Sequence, residues 1–346
     1  MVEWLAGNRI RGTSAEKPAL ALPSGSVGGW KEIARVTSND TDVINIPDKR
    51  YLMVLSDHGW NSSNAGIGMQ INGDASTSQY PRRYRYNGGS EATPTTEANI
   101  FYDTMGGGTQ TGKRWFMVQH IANKSDEKKL IQYNMVFNRS GLGEADAPDI
   151  IEGVAKWVND SDSISRLDLR NFNSGTITSD SEVVVLGWDP TDTHTDNFWE
   201  ELASVELDST EDELPSGTFT AKKYLWVQWY VKKTGTANTR WRFNDDDGSN
   251  YSSRSHVLNN WAEQTDQTTF FTHADTSGNA FGNMFIINNS ANEKLVIPQE
   301  VSDTVGRYNG VAKWDNTSSQ ITSIKLMNTD TGGFQSGTIM KVWGSN

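Results

Sequence analysis

The pentapeptide GVAKW is written twice in the chain, at Gly153–Trp157 and again at Gly310–Trp314. Extended from it, residues 153–187 align with 310–344 without a gap, and 14 of the 35 positions are identical. Asn159/Asn316, Ile164/Ile321, Leu169/Leu326, Asn171/Asn328 and Gly187/Gly344 are among them. Upstream, HIANKSDEKKL (120–130) matches FIINNSANEKL (285–295), RYLMVL (50–55) matches KYLWVQ (223–228), and WKEIA (30–34) matches WEELA (199–203). Order is kept along both halves, so the repeat reports duplication of a whole domain and is neutral about chemistry. Its period of about 160 residues is too long for a solenoid, whose stacked units run to about 20–50 residues. The chain divides into an arm (1–29), a first module (30–188), a polar linker DPTDTHTDN (189–197) and a second module (198–346). Each module is long enough to hold a core of its own.

The segments between turn signals alternate with a period of two. In YLWVQWYV (224–231), Leu225, Val227, Trp229 and Val231 share one face, which reads as core. Tyr224, Trp226, Gln228 and Tyr230 share the other, which suits a wet surface or a neighbouring domain. Only 35% of residues are hydrophobic, and Asn, Ser, Thr, Gly and Asp fill the deficit. These residues disfavour long helices and favour short strands joined by polar turns. The expected fold is all-β: two tandem jelly-roll-like β-sandwich domains behind an extended N-terminal arm, with an immunoglobulin-like strand order as the alternative. Trp157 and Trp314 are predicted to fill the same core corner in each module, with Lys156 and Lys313 pointing outward.

A net charge of −12 argues against a nucleic-acid binder, which needs clustered Lys and Arg. The absence of cysteine removes disulfides, thiolate catalysis and Cys-ligated metals. No apolar run is long enough for membrane insertion, and the first residues lack the apolar core of a secretory signal peptide. The five histidines are scattered, and neither H-E-x-x-H nor G-x-S-x-G occurs. His120 faces Phe285 in the duplicate, which reads as strand packing. The acidic stretch NDDDGSN (244–250) places Arg254 at the last ligand position of an EF-hand, so it is read as a tight turn between strands. No two of the 43 acidic residues stand out as a glycosidase pair. We therefore expect no catalytic residue, metal or cofactor.

Three patterns point to binding. Arg83 and Arg85 alternate with Tyr84 and Tyr86 in YPRRYRYNGG (80–89), a pattern read first as a strand with outward, paired arginines. Exposed Trp and Tyr faces stack on sugars, and Trp60, Tyr86, Trp226, Tyr230 and Trp261 are the candidates for a glycan. In the arm, Trp4, Leu5, Ile10, Leu20 and Leu22 are apolar residues with no core nearby, suited to adding a strand to a neighbouring subunit.

The arm GNRIRGTSAEKPAL (7–20), the tandem modules with endings of the form KW…I..I.L.N...G.F..G, and the lack of cysteine and signal peptide together resemble virion surface proteins of tailed viruses of bacteria or archaea. Head decoration, turret and tail-fibre proteins of the tandem β-sandwich type make up that class. The resemblance implies a non-catalytic structural protein on the particle surface, outside the cell. Its partners would be copies of itself in a symmetric homo-oligomer, other capsid or tail proteins and a host-surface glycan. An extracellular carbohydrate-binding protein with two tandem modules is the alternative.

Overall fold

The alternating segments form strands because every second side chain finds a dry face to pack against. The computed structural model describes residues 3–5, 9–11 and 29–346, apart from 40, 61–65, 105–111, 139, 174, 258–259, 274–277 and 304–305. In the arm, β1 (Glu3–Leu5) and β2 (Arg9–Arg11) pair antiparallel as a sheet of their own, Trp4 opposite Ile10. This stretch is a hairpin rather than a single extended strand. Leu20 and Leu22 lie outside the described residues.

The first module contains β3 (Lys31–Thr37), β4 (Thr41–Ile44), β5 (Tyr51–Gly59), β6 (Gly66–Ile71), β7 (Arg82–Tyr86) and β8 (Ile100–Thr104). It continues with β9 (Arg114–Ala122), β10 (Lys129–Phe137), β11 (Asp149–Trp157), β12 (Arg166–Asn171) and β13 (Glu182–Trp188). A seven-stranded sheet, β3-β13-β5-β9-β10-β11-β7, covers a four-stranded one, β4-β12-β6-β8. Without β7, β10 and β11, the remaining eight strands run first–eighth–third–sixth in one sheet and second–seventh–fourth–fifth in the other. That is the jelly-roll order and not the immunoglobulin one.

The second module repeats it with β14 (Glu200–Glu206), β15 (Glu213–Pro215), β16 (Tyr224–Val231), β17 (Lys233–Thr234), β18 (Thr239–Phe243), β19 (Tyr251–Val257) and β20 (Asn260–Gln267). There follow β21 (Phe270–His273), β22 (Ala280–Ile287), β23 (Lys294–Ser302), β24 (Arg307–Trp314), β25 (Ile324–Met327), β26 (Gly333–Phe334) and β27 (Ile339–Ser345). Its two main sheets are β14-β27-β16-β22-β23-β24-β19-β20 and β15-β25-β18-β21, the same order with one more edge strand, and β17 pairs with β26 as a short sheet of its own.

The repeated residues serve packing in both copies. The Trp157 indole donates to Asp74 at 2.9 Å and lies under Lys129; the Trp314 indole donates to Asp246 at 2.6 Å and lies under Lys294. Both tryptophans are buried in their module's core. Asn123 and Asn288 accept from the backbone N–H of Ile164 and Ile321. Gly153 and Gly310 leave room for a tyrosine: a Cβ there would stand 2.5 Å from the Tyr133 hydroxyl and 2.8 Å from that of Tyr308.

A third apolar layer lies between the modules. The outer faces of the two large sheets pack on each other through Met53, Leu55, Phe116, Val118 and Val136 on one side and Tyr224, Trp226, Phe285, Ile287, Leu295 and Ile297 on the other. The modules are thus not two bodies on a linker. A single body of 38.4 kDa is expected to expose about 14,000 Å² and two separate halves about 16,900 Å²; the chain exposes 14090 Å².

Polar contacts surround this layer. Glu182 accepts from Tyr224 and Lys223, and Asn289 donates to Asp57, which also holds Arg114. Lys313, predicted to point outward, is fully buried here: it pairs with Glu293 at 3.4 Å and donates to the Gly141 carbonyl of the first module. Lys156, its counterpart, is half-buried.

Candidate binding cleft

GVAKW has opposite fates in its two copies, and this locates the site. Glu152 and Asn309 are equivalent positions, one residue before each GVAKW, and the Asn309 amide donates to the Glu152 carboxylate. Equivalent residues that touch each other mark a local two-fold relation between the large sheets. On one side of that axis the interface is closed: Phe116, Val136, Leu295 and Val311 are at most 1% exposed. On the other side stand their counterparts, Phe281, Val301, Leu130 and Val154, which are 45% to 59% exposed. Half of a pseudo-symmetric interface is therefore dry and half is open.

The open half forms a cleft of about 590 Å³. Val154, Phe281 and Val301 give it apolar walls, and the side-chain amides of Gln132, Asn134, Asn283, Gln299 and Asn309 line it between them. The guanidinium groups of Arg83, Arg85 and Arg307 complete the lining, and Tyr133 and Tyr308 lie buried beneath it, each 1% exposed. Strand register explains the arrangement: Arg83 stands opposite Val154, and Arg85 opposite Glu152, on neighbouring strands β7 and β11. Arg83, Gln132 and Val154 also border a second, more apolar depression of about 840 Å³. Tyr51 and Trp188 lie in that depression with ring centroids 5.3 Å apart at 23°, beside Trp30 and the exposed Leu130. In the second module the equivalent positions Trp199, Tyr224 and Leu295 are sealed in the layer between modules.

The acidic groups near the cleft are engaged by neighbours. Glu91 pairs with Arg83 at 2.7 Å, and Glu152 with Arg307 at 3.6 Å. The Glu300 side chain turns into the second core, where it accepts from Trp229 at 2.8 Å and from Thr272 at 3.1 Å. Burial pushes Glu300 above the usual carboxylate range, opposed by Lys233 and these hydrogen bonds. Among the described residues no group of three or more His, Asp or Glu is placed to hold a metal ion. In NDDDGSN, Asn244 and Asp245 both adopt positive φ (51° and 54°), as a type I′ turn requires. Burial raises Asp246, but hydrogen bonds from Asn250 and Trp314 outweigh it and hold its carboxyl below the usual range.

The five aromatic residues named for a glycan do not converge. Trp60 is fully buried against Trp115, ring centroids 4.5 Å apart, and Trp226 lies in the layer between modules, so neither offers a face to a sugar. Tyr86 is half-buried with its hydroxyl on Asp149. The Trp261 ring packs directly on Gly88, where it leaves no room for a Cβ. Tyr230 is 37% exposed, on the outer face of β16. The aromatic shelf that does form, Trp30, Tyr51 and Trp188, carried one sequence signal: each lies at or beside a duplicated segment without being a core residue of the alternation.

No family model matches this chain, and no curated protein matches it. Among solved structures, the paired C2 domains of extended synaptotagmin 2 align over 87% of this chain and 94% of that one, at 7% identity and a TM-score of 0.14. Human GIVD cytosolic phospholipase A2 aligns over 77% of this chain and 33% of that one, at 8% identity and a TM-score of 0.12. At these TM-scores neither likeness carries an argument about function.

Proposed function

We propose that the protein is a non-catalytic surface protein that holds an oligosaccharide in the open half of its module interface. One observation carries this reading: interface-type side chains that are sealed on one side of the two-fold stay exposed on the other, around a row of amides. Aliphatic and aromatic walls cover the C–H faces of a sugar, while side-chain amides meet its hydroxyls. The test is a glycan array probed with the full-length chain, followed by titration of hits with Asn283→Ala and Gln299→Ala. Binding to a defined glycan that weakens about tenfold in each variant supports the reading, in line with loss of one hydrogen bond to a buried ligand. An array without hits, or hits indifferent to both substitutions, sinks it.

The setting we propose is a viral particle, with the arm of residues 1–29 joining copies into a homo-oligomer. The sequence resemblance and the separate β1–β2 hairpin support it. Solution mass of the full chain and of a chain lacking residues 2–28 tests it: an oligomer that becomes a monomer is expected, and equal masses would refute it.

A further inference from the structure

The cleft carries a charge that the chain as a whole does not. Against a net charge of −12, three guanidinium groups border it, and among the described residues two carboxylates, Glu91 and Glu152, face them. Glu91 serves two arginines, Arg83 at 2.7 Å and Arg85 at 3.9 Å. Glu152 is divided between Arg307 and the Asn309 amide. Glu300 contributes no charge to the cleft, since its side chain points into the second core. The three arginine side chains keep 43% to 66% of their surface exposed. They also converge from both modules: the His256 imidazole is held low first by burial, then by Arg307, with Glu152 opposing and Arg85 adding to it.

We infer that the ligand is an acidic oligosaccharide, whose carboxylate or sulfate groups are met by Arg85 and Arg307 across the cleft while its neutral ring faces lie on Val154, Phe281 and Val301. This rests on the glycan reading above. A guanidinium presents two parallel N–H donors that fit either group bidentately, and one carboxylate shared between two arginines leaves donors over. The acidic remainder of the surface repels polyanions in general, which confines such binding to this cleft.

The experiment titrates the full-length protein calorimetrically, at one fixed ionic strength, with three probes of equal length. These are hexagalacturonate, a heparin hexasaccharide and neutral maltohexaose, each also run against the Arg85→Gln/Arg307→Gln double variant. An acidic probe binding about tenfold or more above the neutral one, with that preference lost in the double variant, is the expected result. The carboxylate and sulfate probes separate the two sources of charge. Equal affinity for neutral and acidic probes, unchanged by the double variant, overturns the inference and leaves the glycan reading standing. No binding of any probe, together with an array without hits, removes both. A melting temperature unchanged in the double variant shows that it folds.

Discussion

Phe116 and Phe281 occupy equivalent positions in the two modules, yet Phe116 is 1% exposed under the second module and Phe281 is 45% exposed at the cleft. Truncating each to alanine therefore separates packing between modules from packing within one. Phe116→Ala removes a ring from a closed layer, in contact with Tyr224 at 6.3 Å between centroids, and costs about 3–5 kcal/mol, the sum of lost transfer energy and a partly collapsed cavity. Phe281→Ala takes away a ring that already meets water, and the change stays within about 0.5 kcal/mol. With a urea slope near 3 kcal/mol per molar, the first variant lowers the unfolding midpoint by about 1–1.7 M and the second by less than about 0.2 M. Equilibrium urea unfolding followed by tryptophan fluorescence reads both. Equal shifts would refute the reasoning, because two modules that merely share a linker leave both phenylalanines on open faces.

Lys313→Met strands the buried Glu293 carboxylate and costs about 3–5 kcal/mol, whereas Lys156→Met, the same change in the first GVAKW, is near neutral; chemical denaturation compares the two. Burial holds His120 at about 4 against an ordinary value of 6.5, so unfolding takes up a proton in that window and stability falls as pH drops through it. His120→Phe, matching Phe285 of the other module, flattens that part of the melting-temperature profile, and buried His58, also at about 4, leaves the rest. Burial, then Glu144 and Glu293, raises Asp315 to about 6, so the folded chain keeps a proton that the unfolded chain has lost above 3.8. The Asp315 contribution to stability therefore declines as pH rises from about 4 to 6, opposing the histidines, and Asp315→Asn removes that contribution and raises the melting temperature at neutral pH.

Much of the fold was legible because repeated residues answer to their own module. Trp157 and Trp314, Asn123 and Asn288, and the alternation of YLWVQWYV depend on neighbours a few strands away, and both copies keep them. What lay beyond the sequence was the fate of the outward faces. Val154 and Val311 are the same residue in the same pentapeptide, one exposed and one sealed, because the placement of one sheet on the other decides which is covered. The same placement buried Lys313 and Trp226 and left Trp188 and Tyr51 as the shelf. Trp60 went astray for a different reason. It follows β5 immediately and bridges to Ile177, so it completes the core rather than starting a loop.

Differential scanning calorimetry of the full chain, beside residues 30–188 and 198–346 prepared separately, most directly tests whether the two jelly rolls form one body through their large sheets. A single transition whose calorimetric and van't Hoff enthalpies agree, with each half alone melting lower or failing to fold, is the predicted result. Two independent transitions at the temperatures shown by the isolated halves would contradict it, and with it the origin of the cleft.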